Sequence, residues 1–352
     1  MASQRRSDLI TVVVATRNGA QHIDACLRAL AACRAPIGFE KEVLVVDDGS
    51  TDETAARAAG HAGVQVLSLP PSGPSAARNA GVLAARGEAV AFTDDDCEVD
   101  PAWLVELVGT LRATDAAAAG GAQLVPDDDR GLARAIGRFL LAAGFAGGYT
   151  RRGNALRDVD HNPSCCSIYR TAALLAVGGF AAGLWPGEDV ELDHRLRQRG
   201  WRVVYTPRAR VRHHRVGTWR GFARMLWRYG RWSAGHLTRK LGPIRPIGLA
   251  PLGTALGLAA LVAAWSAAPL YGAGVALLGL AFVVRTLLGG GLRPAELPLQ
   301  VALTLVGGVA WHLGYVRGLC DGRPLRPGLE PRPDEVARPL APAPRGEAAA
   351  TA

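Results

Sequence analysis

The chain has 352 residues, with 40 Lys and Arg against 31 Asp and Glu, for a net charge of +9. This length admits one large domain plus an appendage. The charge is carried almost wholly by arginine, with lysine only at Lys41 and Lys240, and no acidic residue lies between Asp193 and Glu296. A basic run such as Arg195–Arg245 suits nucleic acid or an anionic membrane surface. The long apolar segments that follow it favour the membrane and speak against nucleic acid.

In chain order, Leu9–Ala15 reads as a fully apolar strand, followed by a loop at Thr16–Ala20 and a helix from Gln21 to Ala32. Glu42–Val46 is a second strand, ending in DDGSTDE, where Thr51 or Asp52 can cap a helix running through Ala59. Val64–Leu69 is a third strand, Ser75–Ala85 a helix and Ala89–Phe92 a fourth strand. Apolar strands separated by helices predict a mainly parallel sheet covered on both faces. Ligands of such sheets bind beyond the carboxyl ends of the strands. The loops Thr16–Asn18, Asp47–Ser50 and Asp94–Asp96 all lie at such ends.

Asp94, Asp95 and Asp96 stand consecutively at the end of a buried strand, where they repel one another unless something positive sits there. A divalent cation with oxygen ligands answers that need; a solvated acidic loop is the plainer alternative. Further on, Glu188 and Asp189 open a helix with Leu192 and Leu196 one turn apart and Gly200 as its stop. Acids at a helix start are also favoured by the helix dipole alone. His213 and His214 follow in a basic stretch. The six cysteines (Cys26, Cys33, Cys97, Cys165, Cys166 and Cys320) have no CxxC spacing, which suits reduced thiols in a cytoplasmic domain. The polar start MASQRRSD shows no signal peptide.

With these elements placed, the chain resembles the family 2 glycosyltransferases. The matching pieces are VVVATRNGA at 12–20, VVDDGSTDET at 45–54, SAARNAG at 75–81, AFTDDDCEVD at 91–100, VGGF at 177–180 and GEDVELDHRLRQRG at 187–200. The resemblance implies a GT-A fold, an α/β domain with a mixed, mainly parallel sheet flanked by helices, over residues 9–215. It implies a nucleotide-sugar donor held by Thr16, Arg17, Asn18, Asp47, Asp48, Arg78, Asp94 and Asp95. Thr16 and Asp48 would line the nucleoside pocket, and Arg78 would reach the diphosphate. Asp94 and Asp96 match the DxD motif, which with His213 would hold Mg²⁺ or Mn²⁺. Asp189 would be the general base of an inverting transfer, with Glu188 beside it. The QxxRW motif of processive members is absent from MLWRYGRW, which disfavours a polymerising synthase. A polyprenyl-phosphate transferase and a non-catalytic membrane scaffold stay open as alternatives.

After an eight-residue polar N-terminus and the catalytic domain, residues 216–245 read as a basic amphipathic segment for the membrane interface. Arg220, Arg224, Arg228 and Arg231 form one stripe, opposite Phe222, Leu226 and Tyr229. Residues 246–319 contain three apolar segments, Ile247–Leu270, Tyr271–Val284 and Leu297–Val316. Each approaches the length needed to cross a hydrocarbon core of about 30 Å. This predicts a multi-pass helical membrane region with two or three crossings and a cytoplasmic catalytic domain; taken with the family resemblance, it implies a glycan or lipid-linked acceptor. The Pro-, Ala- and Arg-rich residues 320–352 are expected to be disordered.

Overall fold

The computed structural model describes residues 5–143, 155–239, 250–267, 273, 294–321 and 328–329. Among these, the chain runs β1 (Arg6–Thr16), α1 (Ile23–Ala32), β2 (Glu40–Asp47), α2 (Thr54–Ala59), β3 (Val64–Ser68), α3 (Pro74–Ala84), β4 (Gly87–Asp94) and β5 (Cys97–Val99). It continues through α4 (Trp103–Thr114), β6 (Ala118–Leu124), α5 (Gly131–Ala142), β7 (Arg157–Asp158), a 3-10 turn at Ser164–Cys166, β8 (Ser167–Arg170), α6 (Thr171–Val177), α7 (Glu188–Gln198) and β9 (Val203–His213). Three long helices follow: α8 (Trp219–Arg239), α9 (Ala250–Ala267) and α10 (Leu297–Leu319).

The strands form one mixed sheet in the order β3-β2-β1-β4-β8-β6-β9-β5, with β7 paired to β9. β1, β2, β3 and β4 pair in parallel, as their uninterrupted apolar sequences require. β8 is antiparallel to both β4 and β6. Side chains alternate across β1: Val12 and Val14 pack with Leu27, Trp103 and Leu107 under α1 and α4, while Val13 packs with Phe92, Tyr169, Leu192 and Leu196 on the other face. Both faces of the sheet are therefore packed largely with apolar side chains, and the loops at the strand ends gather the polar groups described below.

Register decides what meets there. Thr16 stands opposite Asp47, and Ala15 opposite Asp94, so the loops after β1, β2 and β4 leave the sheet side by side. β9 then delivers a fourth group. The basic stretch before His214 is one continuous strand, Val203–His213, whose last residue, His213, pairs with Cys97 of β5.

The amphipathic segment after the domain is helical from Trp219 to Arg239. Its Phe222, Met225 and Leu226 pack on Ile136, Phe139 and Leu140 of α5 and on Leu303 and Trp311 of α10. Among the described residues, α10 is the one helix long and apolar enough to cross a membrane. The segment Tyr271–Val284 lies outside the described residues apart from Ala273, as does most of 320–352.

Candidate functional site

The β1 exit is held in shape by its own side chains. Asn18 adopts a left-handed backbone (φ 56°), which asparagine tolerates. Its N–H donates to Ser50 Oγ at 2.8 Å, and its Oδ1 accepts from the Thr51 N–H at 2.8 Å, which staples the loops after β1 and β2 together. Thr16 Oγ1 donates to Asp95 Oδ2 at 2.5 Å. Gly19 leaves room for this bond, since a Cβ there would lie 1.8 Å from Asp95 Oδ2 and push the carboxylate aside. Arg17 is exposed at the rim.

Asp47 and Asp48 are both buried and both work within the protein. Asp47 accepts the Ser50 N–H at 3.1 Å, and Asp48 accepts the N–H groups of Ser72 (2.6 Å) and Gly73 (2.9 Å). A turn therefore accounts for both aspartates, more than the sequence pattern alone suggests. A carboxylate has about four lone-pair sites, so each retains acceptor capacity toward a ligand.

The acidic triplet is split by its surroundings. Burial, with Asp96 and Asp94 alongside, pushes Asp95 well above the ordinary carboxylate range despite the Thr16 bond. Burial opposes the charge of Asp96 too, but His213 and Arg215 outweigh it and hold that carboxyl low. His213 Nε2 lies 3.2 Å from Asp96 Oδ1. Burial and Arg215 work against the imidazolium; Asp96 prevails and raises His213 to about 10. Asp94, Asp96 and His213 each present a ligand atom within 4.8 Å of the others, which fits a hard divalent cation with two carboxylates and one imidazole. The imidazole must release its proton to ligate.

Arg78 is not extended into an open cleft. It is 5 % exposed, and its guanidinium bridges two carboxylates, Asp94 at 2.8 Å and Glu188 at 2.7 Å, from elements far apart in sequence. Burial works against its charge, yet the two acids raise its pKa. Burial raises Glu188 to about 7, with Arg78 opposing and Asp189 adding to the shift. Asp189, half-buried in the first turn of α7, accepts from the Ser164 N–H at 3.2 Å and the Val190 N–H at 2.8 Å. The pairs Asp94/Asp96 and Glu188/Asp189 are thus joined through one buried cation.

Three functional-looking groups escape the sequence reading. Asp193, one turn beyond Asp189, is 0 % exposed; it accepts the Asn162 N–H at 2.7 Å, and burial pushes its carboxyl well above the usual range. Its spacing of four from Asp189 is the signal that places both on one helix face. His214 is held by Asp129 (2.9 Å) and Glu98 (2.8 Å) and stacks on His22 at 5.1 Å. Cys97 and Cys165, both free and buried, cluster with His213.

The family model described as "Glycosyl transferase family 2" matches residues 11–178. An uncharacterized glycosyltransferase of Mycobacterium bovis is 33 % identical over 219 residues, 61 % of this chain and 93 % of that protein. The chain belongs to glycosyltransferase family 2. The pre-mycofactocin glycosyltransferase of Mycobacterium tuberculosis is also 33 % identical, over 212 residues, 59 % of this chain. The match takes in 43 % of that protein, so the chain spans less than half of this relative's length. A mannosyltransferase from Pyrobaculum calidifontis, solved with GDP-Man and Mn²⁺, superposes with a TM-score of 0.63 at 18 % identity, over 89 % of this chain and 88 % of its own. That likeness establishes the GT-A fold for this family 2 member. The acid–imidazole set at the end of β4 is where a divalent cation fits.

Proposed function

We propose that this chain is a metal-dependent, inverting glycosyltransferase that moves a sugar from a nucleotide-sugar donor to the hydroxyl of a membrane glycolipid or polyprenyl-linked glycan at the cytoplasmic membrane face. The observation that carries the reading is the buried bridge Asp94–Arg78–Glu188, which locks a cation-binding pair and a candidate base pair into one rigid constellation. A scaffold without catalysis has no need to keep four acids so close together.

Asp94, Asp96 and His213 would hold Mg²⁺ or Mn²⁺. When bound, the ion neutralises charge on the departing nucleoside diphosphate. Thr16, Arg17, Asn18, Asp47 and Asp48 surround the donor nucleoside, the two aspartates using lone pairs their loop bonds leave over. Asp95, turned to Thr16, keeps the β1 loop against the donor. Arg78 acts as the fixed positive strut between the carboxylates rather than as a mobile phosphate clamp. Asp189 takes the proton from the acceptor hydroxyl at its carboxylate, held by the Ser164 and Val190 N–H groups. Glu188 sets the start of α7 and carries Arg78. Anchoring by residues 246–319, with several crossings, is supported by their apolar composition and by the basic run before them.

The test is Asp189→Asn in a transfer assay, with nucleotide titration in parallel. Loss of general-base help is worth about 10²–10⁴-fold, with donor affinity unchanged. Turnover like the parent's would place the base elsewhere or point to an acceptor already ionised, such as a phosphate.

A further inference from the structure

Resting on that membrane reading, we infer that α10 does not cross the bilayer: it lies along the membrane surface, between α8 and the lipid, with Leu305, Val309, Leu313 and Val316 immersed at the lipid boundary. Both ends of α10 are tied to the catalytic domain's side. At its start, Glu296 pairs with Arg138 of α5, and Gln300 Nε2 donates to the Ala135 carbonyl at 3.1 Å. At its end, Asp321 pairs with Arg231 of α8. The next residue, Trp232, lies against Gly187, immediately before Glu188; Arg228 sits over the Trp185 ring at 4.4 Å. α8 is thus pressed on the active-site loop where α10 ends.

The two helices run parallel and at backbone contact. Gly307 faces Phe222, Gly314 faces the Trp227 carbonyl and Gly318 faces the Arg231 carbonyl; a Cβ at the last two would lie 1.9 and 2.2 Å from those oxygens. α10 is therefore fixed lengthwise against a helix that itself lies on the domain, and cannot tilt away into a bilayer without parting from both. A helix of this length would span the hydrocarbon core only if one end were carried to the far side.

The side of α10 away from α8 is an apolar row. Leu305, Val309, Leu313 and Val316, spaced four, four and three apart, are 65 %, 63 %, 63 % and 64 % exposed. Exposed Arg220 and Arg224 on α8 and Arg317 on α10 flank the pair. An apolar row with arginines beside it suits an anionic lipid surface. The chain also returns to the domain at Leu329, whose N–H donates to the Gly178 carbonyl at 2.9 Å. Any crossing is then confined to residues 240–293 and must be even in number.

The experiment uses full-length protein in a Cys320→Ser background, in vesicles of mixed zwitterionic and anionic phospholipid. Leu305, Val309, Leu313 and Val316 are replaced singly by cysteine and labelled with bimane, and quenching by shallow and deep spin-labelled lipids is compared. The other five cysteines are buried. Similar, shallow quenching at all four positions is expected. A crossing would separate Leu305 and Val316 by about 16 Å in depth, so a graded profile overturns the inference, as does absence of quenching. Sidedness gives a second readout. An impermeant maleimide should reach native Cys320, and Cys at Ala295 or Ile37 in the Cys320→Ser background, from the same side; opposite sides for 295 and 320 overturn it. Release of the protein by carbonate would count against the anchoring by residues 246–319 and leaves the quenching profile to judge α10 separately.

Discussion

Arg78→Met is the most informative single change. It keeps a long apolar stem under Phe180, whose ring lies 5.8 Å from the Arg78 guanidinium carbon, but removes the cation from between Asp94 (2.8 Å) and Glu188 (2.7 Å). Breaking a buried pair while leaving its partner charged costs about 3–5 kcal/mol. For a domain of this size that corresponds to a fall in Tm of about 6–20 °C. The effect carries a pH signature. Glu188 titrates at about 7, above its ordinary 4.5, so its contribution to stability is full below about 4.5 and is lost as pH rises through 7. Without Arg78 its folded pKa moves higher still. The gap between parent and variant should therefore be widest at pH 8 and narrow toward pH 5.5, where Glu188 is neutral in both. Differential scanning fluorimetry of the solubilised protein, with Arg78→Met also made in a Glu188→Gln background, measures the coupling. A drop under about 2 °C, or an equal drop with and without Glu188, would refute the bridging role.

Asp193→Asn should cost least at high pH, because burial pushes the Asp193 carboxyl well above its ordinary range and so works against its charged form there. Its stabilising contribution is present below the ordinary 3.8 and lost as pH rises, so the parent should gain on the variant as pH falls toward 4; a large, pH-independent loss contradicts this. Gly19→Ala should part Thr16 from Asp95 and weaken nucleotide binding about tenfold or more, at about 1–3 kcal/mol in stability. In contrast, Gly109→Ala on α4, where a Cβ meets nothing within 4 Å, should stabilise by about 0.5–1 kcal/mol. Equal effects of the two substitutions in nucleotide titration and thermal melts would show that the close contact at Gly19 does not matter.

The parallel half of the fold was legible because its strands are apolar throughout and each ends in turn residues: Leu9–Ala15 became Arg6–Thr16, and Ala89–Phe92 became Gly87–Asp94. β6 was not legible. Its AAGGAQL has none of the β-branched residues that mark strands, because Asn162 and Ala209 press on Gly120 and Gly121 and leave no room for a Cβ. The site's members were readable from motifs, but their connections were not. The Arg78–Glu188 pair spans 110 residues, and no local pattern records which acid an arginine meets. Asp47 and Asp48 looked free for a ligand because a Gly- or Pro-rich turn is legible in sequence but which carboxylate its backbone N–H groups will meet is not; Ser72 and Gly73 lie 24 and 25 residues from Asp48. The amphipathic pattern of α8 was plain, but a helix that packs on protein and one that packs on lipid share that pattern; here Phe222 and Leu226 face α5 and α10.

The central claim is that Asp94, Asp96 and His213 form a cation site on which donor binding depends. Isothermal titration of UDP, GDP and dTDP into the parent and Asp96→Ala, each with Mn²⁺ and with EDTA, tests it most directly. The account predicts that at least one nucleotide binds the parent only with the metal, and that Asp96→Ala loses this binding while its melting curve stays cooperative. Equal nucleotide affinity in both proteins, with and without EDTA, would contradict it.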